Sequence, residues 1–217
     1  MIEAVVFDMD GVIFDSETLL IDGWVAATKA DGIPDVEETC HACLGTNDAE
    51  TKEIFLMTYG QDFPYDAYEE EARRYYHRKA DGGMLPQKKG VKELLTFLKE
   101  RRVKIALATS SSKELVLQEI EEGGLLPYFD CIVCGDMISR SKPDPEIYLT
   151  ACEKLGVKPI NACAVEDSFN GIRSATRAGM TAIMVPDIKQ PDEEMKKLAA
   201  VILPSLLAVK EYLWDRC

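Results

Sequence analysis

The chain has no run approaching the ~20 consecutive apolar residues of a membrane span, which excludes a spanning helix. Ile2 to Phe7 is too short for the apolar stretch of a secretory leader and carries Glu3, so a cytoplasmic location is expected. Positive charge is in deficit: 25 Lys and Arg stand against 38 Asp and Glu, a formal net charge of −13. That balance argues against nucleic acid as a partner, because phosphate backbones are bound through basic surfaces. A basic cluster such as "RRYYHRK" at 73–79 reads as a solvated helix face rather than a binding patch. Zinc patterns are missing too. Cys40 and Cys43 have CxxC spacing, but no second pair matches them. Seven cysteines without an export signal fit reduced thiols that pack as small hydrophobes. Histidine is scarce, and His41 and His77 read as surface or packing residues.

What is present is a rhythm. "AVVF" (4–7), "VKIALA" (103–108), "CIVC" (131–134), "ACAV" (162–165) and "TAIMV" (181–185) are short apolar runs bounded by turn residues. Such runs form the buried strands of parallel sheets. "AAVIL" (199–203) predicts an edge strand before a last helix over 206–214. Between the strands, Val91, Leu94, Leu95 and Leu98 fall on one helical stripe, as do Ile147, Tyr148, Ala151 and Leu155. Strands alternating with helices predict an α/β protein with a doubly wound, Rossmann-like parallel sheet.

Residues 16 to 82 break the rhythm with several helical stretches and no convincing strand. Asn47 with Glu50 resembles a capping box, and Gly60 supplies a stop. Trp24 shares an apolar stripe with Leu20 and Ala27 and reads as core. The expectation is an α/β core over 1–15 and 83–217 with an inserted all-helical cap over 16–82. Hinges are expected near Phe14–Ser16 and Asp81–Leu85.

In open parallel sheets, ligands bind beyond the carboxyl ends of the strands. That rule gathers Asp8 and Asp10 after the first strand, Thr109 and Ser110 after the second, Lys142 after the third, and Glu166 and Asp167 at the fourth. Two carboxylates ~5 Å apart repel by about 3 kcal/mol at an effective dielectric of about 20. Four of them need a cation, or one must keep its proton. An all-oxygen donor set suits Mg²⁺. Lys142 balances an anionic substrate, and Thr109 with the amides opening the next helix can donate to phosphoryl oxygens. The residues read as a phosphoryl-transfer site. Asp8 is placed to attack phosphorus, Asp10 to move the leaving group's proton, and Gly11 to let the backbone turn.

"DMDGV" (8–12), Thr109 in "LATSSS", Lys142 in "SKPDP" and "VEDS" (165–168) together resemble the four motifs of the haloacid dehalogenase superfamily. The helical insert is similar to that of its C1-capped subfamily, which holds β-phosphoglucomutase and small-metabolite phosphatases. The resemblance implies Asp8 as nucleophile, Asp10 as general acid and base, and Thr109, Ser110 and Lys142 as phosphate ligands. It also implies a Mg²⁺ shell of Asp8, the Asp10 carbonyl, Glu166 and Asp167. Dehalogenases of the superfamily lack an acid at the position of Asp10, so phosphate esters are the expected substrates. Mutases carry a histidine where Leu20 stands and an arginine where Asn47 stands. Hydrolysis of a sugar phosphate or nucleotide monophosphate is therefore expected, with a mutase, or a non-catalytic binding protein on the same fold, as alternatives. Candidate specificity residues are Glu17, Gly45, Thr46 and Asn47, with Asp15, His77 and Lys79 also on the cap side. One core with one cap suffices as a monomer.

Overall fold

The computed structural model describes residues 1–44, 46 and 48–217. Gly45 and Asn47, and with Asn47 the expected capping box, lie outside the described residues. The chain enters through β1 (Ala4–Phe7), then passes through α1 (Ser16–Thr28), α2 (Val36–Cys43), α3 (Asp48–Tyr59) and α4 (Tyr65–Ala80). It continues with α5 (Val91–Glu100), β2 (Lys104–Ala108), α6 (Lys113–Glu122), β3 (Cys131–Val133), α7 (Glu146–Leu155) and β4 (Ala162–Glu166). Then follow α8 (Phe169–Arg177), β5 (Thr181–Met184), α9 (Met195–Leu198), β6 (Val201–Ile202) and α10 (Leu206–Leu213). All strand pairs are parallel, in the order β3-β2-β1-β4-β5-β6. The expected strands are present, and the edge strand is shorter than its apolar run, two residues long. No helix among the described residues is long and apolar enough to cross a membrane.

Side chains alternate across the sheet, and the two faces are unlike. One presents Val5, Phe7, Ile105, Leu107, Val165 and Ile183 to α5, α6 and α10. The other presents Ala4, Val6, Ala106, Ala108, Ala162, Ala164 and Ala182 to α7 and α8. A face of alanines lets helices approach the strands closely, since packing at interior density leaves no gap to bridge.

Helices α1–α4 form the insert and carry their own core. Trp24 stacks on Phe55 at 4.2 Å between ring centroids, with Ile21, Val36, Cys40, Tyr65 and Ala72 around them. Trp24 is core as expected. Leu20 is not: it is 41% exposed. The α1 stripe that packs carries Ile21 and Trp24, one residue round the helix from Leu20. The 73–79 cluster is a solvated face, with Arg73 and Arg74 paired to Glu69, Glu70 and Glu71 of the same helix. The two chain crossings between insert and sheet lie side by side. Asp15 N donates to Pro86 O at 2.8 Å and Lys88 N to Ile13 O at 2.9 Å.

Candidate active site

The register of the sheet builds the site. Phe7 lies opposite Leu107 on one side and Val165 on the other. One residue further on, Asp8, Ala108 and Glu166 therefore stand abreast at the carboxyl edge. Beyond Asp8 the chain folds back on itself: Met9 O accepts from the amides of Val12, Ile13 and Phe14. Gly11 makes that turn at φ +74°, and a Cβ there would lie 2.4 Å from Asp167 Oδ2. Only glycine admits the Asp167 carboxylate against the loop.

Lys142 is the hub. Its buried ammonium donates to Asp8 Oδ1 at 2.8 Å, Glu166 Oε1 at 2.7 Å and Ala108 O at 3.1 Å. The carboxylates of Asp8, Glu166 and Asp167 offer oxygens within 4.8 Å of one another. Three buried carboxylates thus cluster around one ammonium that contacts only two of them, Asp8 and Glu166. Burial, then the neighbouring Glu166, push the Asp8 carboxyl up to about 7 against the opposing pull of Lys142. Burial, then Glu17 and Glu166, raise Asp167 well above the usual carboxylate range. Burial alone would lower Lys142, but Asp8 and Glu166 outweigh it and raise it. Asp167 Oδ1 is buried and has no hydrogen-bond partner among the described residues. An orphaned buried oxygen beside two more carboxylates, in an all-oxygen donor set, fits a hard divalent cation such as Mg²⁺.

Asp10 is held apart from this cluster. Ser16 Oγ donates to its Oδ1 at 2.5 Å and Ser111 Oγ to its Oδ2 at 2.9 Å. The fully buried Thr109 reaches the same Oδ2 at 3.5 Å, while its hydroxyl accepts from Ser111 N. Ser110 is exposed, and its hydroxyl touches none of these groups. Of the expected serine run, Ser111 makes the contact. Ser112 is the N-cap of α6 by position, yet its side chain caps nothing. Asp136 Oδ2 takes the amide of Lys113 instead.

A second acidic group lies outward: Glu17, Asp167 and Asp187 offer oxygens within 4.8 Å of one another. Glu17 belongs to α1, so the insert contributes a carboxyl directly over the core site. Burial, then Asp10 and Asp187, push it up to about 8. Lys88 anchors this group, 2.6 Å from Asp187 and 3.2 Å from Asp15. The other cap-side candidates are elsewhere engaged. Thr46 spends its hydroxyl on Cys43 O and Thr51, His77 pairs with Asp81, and Lys79 lies over Tyr75. Lys88, Ser16, Ser111, Tyr148 and Asp187 were missed by sequence reasoning. The only signal for Asp187 is its place just past a strand, in "VPD".

The sequence matches the model of the haloacid dehalogenase-like hydrolases over residues 5–185, most of the chain. The chain belongs to that family. A phosphorylated carbohydrates phosphatase of Thermotoga maritima is 34% identical over 186 residues, covering 83% of each chain. The β-phosphoglucomutase of Bacillus subtilis is 32% identical over 192 residues, covering 84% of this chain and 83% of the relative. Among solved structures, a variant of CbbY from Rhodobacter sphaeroides in complex with xylulose-1,5-bisphosphate superposes with a TM-score of 0.77 at 28% identity, covering 95% of both chains. This hydrolase therefore carries the family core, with α1–α4 as its helical insert after β1.

Proposed function

We propose that this hydrolase removes phosphate from a small phosphorylated sugar through an aspartyl-phosphate on Asp8. The observation that carries the reading is the separation of two aspartates two residues apart. Asp8 is paired with the Lys142 ammonium, and Asp10 is held by serine hydroxyls. Two carboxyls with different surroundings can do different work.

Asp8 attacks phosphorus with one carboxylate oxygen, forming an acyl phosphate as the ester P–O bond breaks. Asp10, protonated for this step, gives its proton to the departing sugar oxygen. It then takes a proton from a water that attacks the acyl phosphate, which releases inorganic phosphate and restores the Asp8 carboxylate. Lys142 and Thr109, with the amides opening α6, hold the phosphoryl oxygens. Asp8, Glu166, Asp167 and the Asp10 carbonyl would hold Mg²⁺. Bound there, the cation offsets the repulsion between phosphoryl oxygens and the attacking carboxylate. Residues 16–82 act as the cap, and Glu17 faces the sugar from it. The resemblance to a phosphorylated carbohydrates phosphatase and the bisphosphate held by the CbbY relative support a sugar phosphate as substrate. Leu20 offers no donor where a mutase carries a histidine, which supports water as the acceptor.

The test is phosphate release from p-nitrophenyl phosphate and from a panel of sugar phosphates and nucleotide monophosphates, with and without Mg²⁺. Metal-dependent release that Asp8→Asn abolishes is expected. An Asp8→Asn protein as active as wild type overturns the reading. Conversion of β-glucose 1-phosphate to the 6-phosphate without free phosphate replaces hydrolysis by mutase chemistry.

A further inference from the structure

Glu166 sits in the acidic cluster, yet its oxygens are already spoken for. Oε1 accepts from Lys142 Nζ at 2.7 Å and from the hydroxyl of Tyr148 at 2.6 Å. Oε2 accepts from Ser168 Oγ at 3.0 Å and from Ser168 N at 3.3 Å. A carboxylate offers about four lone-pair directions, and four donors occupy them. Helix α8 closes in as well: a Cβ on Gly171 would lie 1.9 Å from Glu166 Cδ. The adjacent Asp167 is the opposite case, with the unpartnered buried Oδ1.

Tyr148 completes this saturation from an unexpected place. It lies on α7 in the stripe that packs on the alanine face of the sheet, fully buried among Ile147, Ala151 and Ile172. Packing alone accounts for its ring. It does not account for a phenol hydroxyl aimed into a carboxylate–ammonium pair, with Lys142 Nζ 5.4 Å from the ring centroid. A buried hydroxyl left unpaired costs stability, so the phenol and Glu166 fix one another.

We propose that Tyr148 is a positioning residue. Its hydroxyl fixes Glu166 Oε1 as the counter-ion that aims Lys142 at the phosphoryl group. The inference rests on the phosphatase reading for what Lys142 grips.

Tyr148→Phe tests it without changing charge or ring volume. Binding of inorganic phosphate is measured by calorimetry and binding of Mn²⁺ by electron paramagnetic resonance, with thermal melting to verify folding. Expected is a loss of about tenfold in phosphate affinity, the worth of one hydrogen bond to a charged group. Mn²⁺ affinity stays within about twofold of wild type, because the hydroxyl serves the ammonium rather than the cation. Phosphate affinity within about twofold of wild type, an equal loss of both affinities, or a loss for Mn²⁺ alone each overturns the inference. Crystals of the wild-type protein soaked in Mn²⁺ give a second reading that needs no variant. Glu166 Oε1 still bonded to Tyr148 and Lys142 supports the inference, and Oε1 released from Tyr148 overturns it. A wild type that binds both probes but hydrolyses no ester sinks the phosphatase reading, while the split still decides the role of Tyr148. A wild type that binds neither overturns both.

Discussion

Ser16, the first residue of α1, donates its hydroxyl to Asp10 Oδ1 at 2.5 Å. The helical insert therefore begins with a direct hold on one of the two site aspartates. Ser111 holds the other oxygen from the core at 2.9 Å, so Asp10 bridges insert and sheet. Ser16→Ala should lower kcat about tenfold, the cost of one charge-assisted hydrogen bond, with KM changed far less. Steady-state kinetics on the best ester found decide it. A pure rise in KM would show that Ser16 serves binding rather than the orientation of Asp10.

Lys142 neutralises two buried carboxylates at once. Lys142→Met should abolish turnover and destabilise the fold by about 3–5 kcal/mol, as removing one partner of a buried ion pair does. Chemical denaturation measures the loss, and added Mg²⁺ should recover part of it by supplying positive charge to the same carboxylates.

Asp8 is buried against Glu166, and the two are stabilised by a single ammonium. In a chelator, Asp8→Asn should melt at a higher temperature than wild type, since it removes one of the crowded charges. Added Mg²⁺ should reverse the order, because wild type gains RT ln(1 + [Mg²⁺]/Kd) and the variant gains less. An unchanged order in Mg²⁺ would count against Asp8 as a ligand.

Tyr76 of α4 donates to Glu119 Oε1 of α6 at 2.6 Å, in a buried contact between insert and core. Burial pushes the Glu119 carboxyl up to about 7 from its ordinary 4.5. The Tyr76 hydrogen bond opposes that rise, and Asp10, Glu122 and Asp81 add repulsion. Between those two values the unfolded chain has released its proton while the native chain retains it. The Glu119 contribution to stability is therefore full below pH 4.5 and is lost as pH rises to about 7, by roughly 1 kcal/mol per unit crossed. Glu119→Gln should flatten this part of the pH–stability curve and raise stability at pH 8. Asp8 and Glu17 add slope in the same range, so a slope in the variant equal to that of wild type would assign the effect to them.

How far each part could be read from the chain follows from the range of the forces involved. Val5 and Phe7 alternate with Ala4 and Val6 within one strand, so the sheet and its two faces are written locally. Asp8, Asp10, Lys142 and Asp167 could be gathered because each lies in the segment between a strand and the next helix, and parallel strands bring their carboxyl ends together. Ser111 escaped notice because only the turn after β2 brings its hydroxyl to Asp10. Leu20 misled because a stripe shifted by one residue on a short helix cannot be separated from its neighbour without the partner helix. Lys88 and Asp187 lie 99 positions apart and meet only where the second crossing passes the end of β5.

The sequence by itself determined the α/β alternation, the helical insert and the gathering of carboxylates and one lysine at the strand ends. These depend on periodicity and on charges at strand ends, which are local properties of the chain. Only the tertiary structure decided which oxygens are still available. It gave Asp10 to two serines from different parts of the fold, filled Glu166 with Lys142, Tyr148 and Ser168, and left Asp167 an unpartnered oxygen. Saturation of a lone pair depends on distances of a few ångströms between segments remote in sequence, and no local pattern records them.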